Sequence, residues 1–460
     1  MPRLYRSLRA SAAAGLLLAC GAALAATAES SGTALAALQA AYERAVTPGE
    51  RADQYRVLFA SVLNRVERSH ASEVDLDAFA AAARQAIEPL PPGAGDPGEV
   101  FKTAVNTALR TLDPYSRYLD PATQRIERSD AGGSFGGLGL EVEAGGDAVR
   151  VVAPMRGGPA ALAGLQRGDL IVRIDDQPLA GLPLSEAVAR LRGAPGTPVS
   201  ITVQRPGVEQ AFTVSITRDT IRRQLLRWNM EDEVLVLRIG SFSGPVSAAL
   251  QQAVGEALAA RLPRAVLLDL RGNGGGLLRE GVATADAFLG QGEIASMRGR
   301  TPANQRTWKA DPTELLAGLP MVVLVDHRSA SATELVAAAL QSHGRATVMG
   351  QRSFGKGTVQ TTYSLGDNQG ALKLTTAAYL GPAGRAVQQV GVTPDIELVT
   401  SSPAAAAPSD AAPPARTPTR IEQSRCAALH PVNDPALACA IAYLLAGDAD
   451  AFRAASAEYR

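Results

Sequence analysis

Lysine is almost missing from this chain. Only Lys102, Lys309, Lys356 and Lys373 occur, so nearly all of the 45 basic side chains are Arg. Histidine is equally scarce. His70, His327, His343 and His430 are scattered, and no CxxC or HxxxH spacing occurs, which argues against a metal site. Cysteine is confined to Cys20, Cys426 and Cys439. Charge of neither sign prevails: 45 basic side chains face 45 acidic ones. With no basic stripe, nucleic acid is not an expected partner. The apolar runs are too short for a confident transmembrane anchor.

What is present divides the chain. At 460 residues, length suggests about three domains. Residues 1–28 read as an export signal. Arg3, Arg6 and Arg9 form a positive start, Ala10 to Leu24 a short apolar stretch, and Ala23-Leu24-Ala25 a small-residue cleavage site. Leu17-Leu18-Ala19-Cys20-Gly21 also approximates a lipoprotein signal, in which Cys20 would carry a lipid anchor. In the oxidising compartment that export implies, Cys426 and Cys439 make a plausible disulfide. Two buried thiols are the alternative. The expected location is the periplasm of a bacterium, with lipid anchoring to the envelope as the variant.

Residues 29–131 are expected to be helical. Tyr55, Leu58, Phe59, Val62, Leu63 and Val66 recur at helical spacing. A second helix is expected over Leu76 to Ile87, capped by Asp75 or Asp77, and a third from Glu99 to Leu112, ended by Asp113-Pro114. This part has no chemical motif and reads as packing or dimer surface. Residues 132–218 turn to short strands and turns. Gly136-Gly137-Leu138-Gly139-Leu140 is a glycine-rich loop entering a strand, and "VAPMRGGPAALAGLQRGDLIVRID" follows, then a helix at Leu184 to Leu191. This segment resembles a PDZ domain. The amides of Leu138, Gly139 and Leu140 would hold a terminal carboxylate, and the adjacent strand edge would accept a peptide as an extra strand.

Residues 219–400 alternate strands and helices, the pattern of an α/β sheet with loops gathered at strand ends. Residues 401–420 read as a Pro/Ala-rich linker and 421–460 as a helical tail bearing both cysteines. One strand, Met321 to Val325, runs through Ser329-Ala330-Ser331 into an alanine-rich helix starting at Ala332. A hydroxyl at such a junction is held out of the sheet beside helix-start amides. Another strand, Ala346 to Met349, leads to Ser353-Phe354-Gly355-Lys356-Gly357. Arg cannot be a general base, whereas a desolvated Lys can. Ser331 therefore reads as nucleophile and Lys356 as its base. The Gly350 to Lys356 stretch has P-loop spacing. Gly357 stands where the metal-ligating hydroxyl belongs, however, and β-branched residues follow where a helix is required. His327 and His343 flank Ser331 as rival bases, but no G-x-S-x-G surrounds the serine.

These pieces resemble the carboxy-terminal processing protease family, also called tail-specific proteases. The resemblance rests on "LRTLDPYSRYL" (109–119), "LLDLRGNGGGLL" (267–278), "SASATE" (329–334), "GQRSFGKGTVQ" (350–360) and "LKLTTAAYLGPAGRAVQQVGVTPDI" (372–396). Thr333 and Gly381-Pro382 depart from the common pattern, away from the proposed dyad. The resemblance implies a multidomain α+β chain. An α/β protease core would carry an inserted PDZ β-barrel-like domain and helical segments at both ends. It implies a serine endopeptidase without a cofactor, with Ser331 as nucleophile, Lys356 as base and Gln360 supporting it. The oxyanion donors would be the amides of Ala332 and a glycine within 274–276, Gly275 being favoured. Expected partners are proteins with apolar C-terminal tails, an adaptor or activating protein, and a second copy of the chain. The alternative is a latent or inactive PDZ scaffold awaiting an activator.

Overall fold

The computed structural model of the chain describes residues 32–222, 224–400, 417–426, 429–430, 432–447, 450–452 and 454. The export signal, Cys20 and most of the Pro/Ala linker lie outside the described residues. The chain forms two compact units. One takes residues up to Gln124 together with Met297–Arg306 and Thr358–Tyr379. The other takes Arg125–Ser296, Thr307–Gly357 and the chain from Leu380 onward. The helical region thus draws in two later segments that sequence order assigns to the core.

In the first unit, helix Glu50–Ser69 buries Tyr55, Leu58, Phe59, Val62, Leu63 and Val66 along one stripe. Asp75 caps helix Leu76–Ile87 by accepting from the Asp77 and Ala78 amides. The third helix is Pro97–Arg110 rather than one starting at Glu99. Asp96 is its cap and Pro97 sits at the first turn, where a missing N–H costs nothing. Phe101 packs on Phe59 at 4.8 Å and edge-on to Tyr118 at 5.1 Å. Asp113 ends this run. Its carboxylate accepts from Tyr115 N, Ser116 N and Oγ, and Thr375 Oγ1, with His70 Nε2 at 3.2 Å. Burial alone would raise the Asp113 carboxyl, but the bonds from His70, Ser116, Tyr115 and Thr375 hold it well below the usual range. His70 is therefore a structural histidine here.

The second unit contains the segment that resembles a PDZ domain. Five antiparallel strands run in the order Leu140–Ala144, Val149–Pro154, Leu170–Ile174, Pro198–Gln204, Phe212–Thr217. Helix Leu184–Leu191 places Ala187 and Leu191 in one core with Leu138, Val151, Ile171 and Ile201. Asp169 of the Gly-Asp-Leu turn is buried and takes a two-pronged bond from Arg205 at 2.7 and 2.9 Å.

The rest of the second unit is built on a seven-stranded sheet. Its order is Leu226–Glu231, Val234–Ile239, Ala265–Asp269, Met321–Val325, Thr347–Gly350, Ile396–Val399, Thr419–Glu422. The first pair is antiparallel and all later neighbours are parallel. Strand order rises in one direction, so right-handed crossovers put helices Val246–Ala260 and Ala332–Ser342 on the same face. That leaves the opposite face to be covered by something else. Helix Pro435–Ala446 of the tail does it. Ala438, Ile441, Leu444 and the later Phe452 share a core with Val234, Val236, Leu267, Val322 and Leu324. Cys426 and Cys439 in the same core are disulfide-bonded. The tail was expected to be helical from residue 421 and separated by a linker to 420. Instead Thr419–Glu422 is a strand paired to Ile396–Val399. A lone β-branched and apolar pair beside a Pro/Ala run gives no period to read, and only an open sheet edge makes it a strand.

Candidate functional site

Three adjacent parallel strands end on the same edge: Asp269 pairs with Leu324, and Val325 with Gly350. The loops leaving their carboxyl ends therefore meet, which is where open α/β sheets place their chemistry. These are the Asp269–Gly276 loop, the Asp326–Ser331 turn and the Gln351–Gly357 turn.

The first two loops are stitched together by polar bonds. Ser329 Oγ donates to Leu270 O at 2.9 Å, and Gly272 N donates to Asp326 Oδ1 at 2.9 Å. Asn273 is fully buried. Its carbonyl accepts from Ala330 N and Thr333 Oγ1, and its side chain reaches Ile239 O. Gly275 has φ +96°, and a Cβ there would lie 2.6 Å from Ala330 O, 2.8 Å from Ser331 Cβ and 3.1 Å from Ala332 N. Only glycine lets this loop approach the strand–helix junction so closely. The Gly275 N–H is held by Asn273 Oδ1 at 2.9 Å.

Ser331 stands at the N-cap of helix Ala332–Ser342, with φ 60° and ψ −121°. A non-glycine residue there is strained, and such strain persists only where neighbours fix it. Glu334, fully buried, provides the fixing. Its Oε2 accepts the Ser331 N–H at 2.8 Å and the Lys356 N–H at 2.8 Å. Its Oε1 accepts the Gly355 N–H at 2.6 Å and Ser353 Oγ at 2.5 Å. Burial pushes the Glu334 carboxyl above its usual range, although all four donors pull the other way. Phe354 N also donates to Ser329 O at 3.0 Å. One carboxylate thus ties the serine turn to the lysine turn.

Ser331, Ala332, Gly275 and Lys356 are accordingly brought together in the second unit. Gln360 lies on strand Thr358–Ser364 of the first unit, where its amide donates to Thr358 and Thr375. The same strand shows that no helix follows Lys356, as the P-loop geometry would need. His343 stands at the far end of the helix that Ser331 begins, where its ring Nε2 donates to Glu293 O at 2.7 Å. Twelve residues of helix put it about 18 Å along the axis from the serine. His327 is exposed and meets Gln351. Glu334, Asn273 and Ser353 were not singled out from the sequence. A signal existed for Glu334: Ser331-x-x-Glu334 is a capping-box spacing.

Glu334→Gln should be nearly as damaging as Glu334→Ala. Either oxygen meets two donors, so a carboxamide must turn its NH₂ against N–H or O–H groups. The expected cost is about 3–5 kcal/mol of stability and a kcat loss on the order of 100-fold. Thermal melting together with peptidase assays checks this; a Gln variant within a few-fold of wild type would remove Glu334 as the brace.

In the PDZ domain, the carbonyls of Leu138 and Gly139 turn inward onto Ala160 N and Met155 N, at 2.9 and 2.8 Å. In a trans peptide the N–H points opposite to the C=O, so the Gly139 and Leu140 amides are directed the other way. Leu138 itself is buried. Gly139, Leu140 and Glu141 line a cavity of about 470 Å³ together with Met155, Ile221 and Ser241.

This arrangement defines a serine-type peptidase core joined to a PDZ domain, and comparison with known proteins agrees. The model for peptidase family S41 matches residues 233–398, and a PDZ domain model matches 150–205. Over 305 residues, the chain is 41% identical to the carboxy-terminal-processing protease of Bartonella bacilliformis, covering 65% of this chain and 70% of that protein. Over 307 residues it is 34% identical to the carboxyl-terminal-processing protease of a Picosynechococcus species, covering 65% and 73%. Among solved structures it is similar to the photosystem II D1 C-terminal processing protease, at 28% identity and a TM-score of 0.48, covering 76% of this chain and 93% of that one. The chain belongs to the carboxy-terminal-processing protease family.

Proposed function

We propose that this protein is an exported endopeptidase that cleaves envelope or periplasmic proteins with a Ser331–Lys356 dyad, reading their C-terminal tails through its PDZ domain. The observation that carries this reading is the shared Glu334 carboxylate, which binds the backbone N–H of both residues. Neutral Lys356 accepts the Ser331 proton as Oγ attacks the scissile carbonyl. The tetrahedral oxyanion is held by the Ala332 N–H, the first amide of its helix, and by the Gly275 N–H, shared with Asn273. The ammonium of Lys356 then protonates the leaving amine, and the amine it regenerates activates the water that hydrolyses the acyl-enzyme. The outward amides of Gly139 and Leu140 suit a terminal carboxylate.

An unfolded reporter ending in an apolar tail is the substrate to try, beside the same reporter with a charged tail. Cleavage of the first, slower cleavage of the second and fluorophosphonate labelling mapped to Ser331 are expected. Tight binding of the apolar tail without cleavage or labelling would replace this reading with the latent scaffold.

A further inference from the structure

Arg271 leaves the sheet one residue before the glycine run that carries Gly275. Its guanidinium is shared between two carboxylates. Nε and Nη2 donate to Asp269 Oδ1 and Oδ2, both at 2.8 Å. Nη1 and Nη2 donate to Asp434 Oδ1 and Oδ2, at 2.9 and 2.7 Å. Asp269 is buried at the end of its own strand, so it fixes one side of the fork. Asp434 comes from 163 residues further along the chain and fixes the other. It lies beyond residue 398, where the family match ends.

Asp434 is itself held in place. It is the N-cap of helix Pro435–Ala446, accepting the Leu437 N–H at 3.1 Å. That helix carries Cys439, whose bond to Cys426 closes a loop with a sequence separation of 13. Its apolar face shares a core with Leu267, on the strand that ends at Asp269. The tail therefore grips the strand and, through Asp434, the Arg271 side chain of the loop after it. Gly272 and Asn273, the next two residues, make the bonds to Asp326 and Ala330 that set this loop against Ser331.

We propose that Asp434 is a positioning residue for the reaction: through Arg271 the disulfide-closed C-terminal helix holds the Gly272–Gly276 loop at the distance from Ser331 that oxyanion binding requires. This rests on the Ser331 reading above. A two-pronged Arg–carboxylate pair fixes both distance and plane, which a single contact does not. A displacement of the loop by an ångström is enough to weaken the transition state without abolishing substrate binding.

The test separates positioning from stability. Asp434→Asn and Asp434→Ser both keep a good helix cap while losing the charge that grips Arg271. Leu444→Ala loosens the tail helix without touching Arg271. Fluorophosphonate labelling of Ser331, kcat, KM and the melting temperature are measured on the full-length protein. The two Asp434 variants should lose about tenfold in kcat and in labelling rate, with KM within about twofold and a small change in melting temperature. Leu444→Ala should melt lower than either, yet keep its kcat at a temperature where it is folded. Wild-type kcat in the Asp434 variants, or a kcat loss that simply follows melting temperature across all three, would overturn the proposal while leaving the dyad standing. If wild type is not labelled at Ser331, the nucleophile reading fails and this inference falls with it.

Discussion

Ser331→Ala is expected to lower kcat on the order of 10⁴-fold or more, and Lys356→Arg to do the same. The first removes the oxygen proposed to attack. The second keeps the positive charge and most of the length but installs a group that stays protonated and accepts no proton. Both variants should remain folded, because Glu334 grips the backbone amides of these residues. Melting temperatures close to wild type, with activity gone, are the expected pair of measurements. Near-wild-type activity in Lys356→Arg would exclude lysine as the base and return attention to His327, since His343 sits at the other end of the helix.

Ending the chain at Thr400 should leave no stable soluble protein. The tail helix and Phe452 cover Val234, Val236, Leu267, Val322, Leu324 and Met349 on one face of the parallel sheet. Re-exposing such side chains costs about 1.5–3 kcal/mol each, on the order of 10 kcal/mol together. That matches the whole net stability of a typical domain, about 5–15 kcal/mol. The truncation also leaves strand Ile396–Val399 as an open edge in place of its pairing with Thr419–Glu422. Sedimentation and circular dichroism of the shortened chain check this; a folded, soluble product would mean that the tail is an appendage.

Much of the candidate site was legible because its residues are rare or conspicuous. A lone lysine in a glycine turn and a serine between an apolar strand and an alanine-rich helix are both local patterns. Strands Val234–Ile239 and Met321–Val325 were legible for a similar reason, as short apolar runs bounded by turns. The glycine run around Gly275 was visible, but its register was not. That register depends on the close approach to Ala330 O and Ser331 Cβ, which a linear sequence does not encode.

Glu334 and Asp434 show the limit more sharply. Each is an ordinary acidic residue near a helix start, a place where carboxylates are common for reasons of capping alone. Their partners, Ser353 and Lys356 for one and Arg271 for the other, come from other loops. The sequence by itself determined the kind of chain, its order of parts and the residue types able to do acyl transfer, because periodicity, turn chemistry and scarce side chains act locally. Tertiary structure alone decided that a single buried carboxylate unites the serine and lysine turns, and that the tail completes the sheet. Both follow from which strand ends lie side by side and which sheet face the crossover helices leave uncovered.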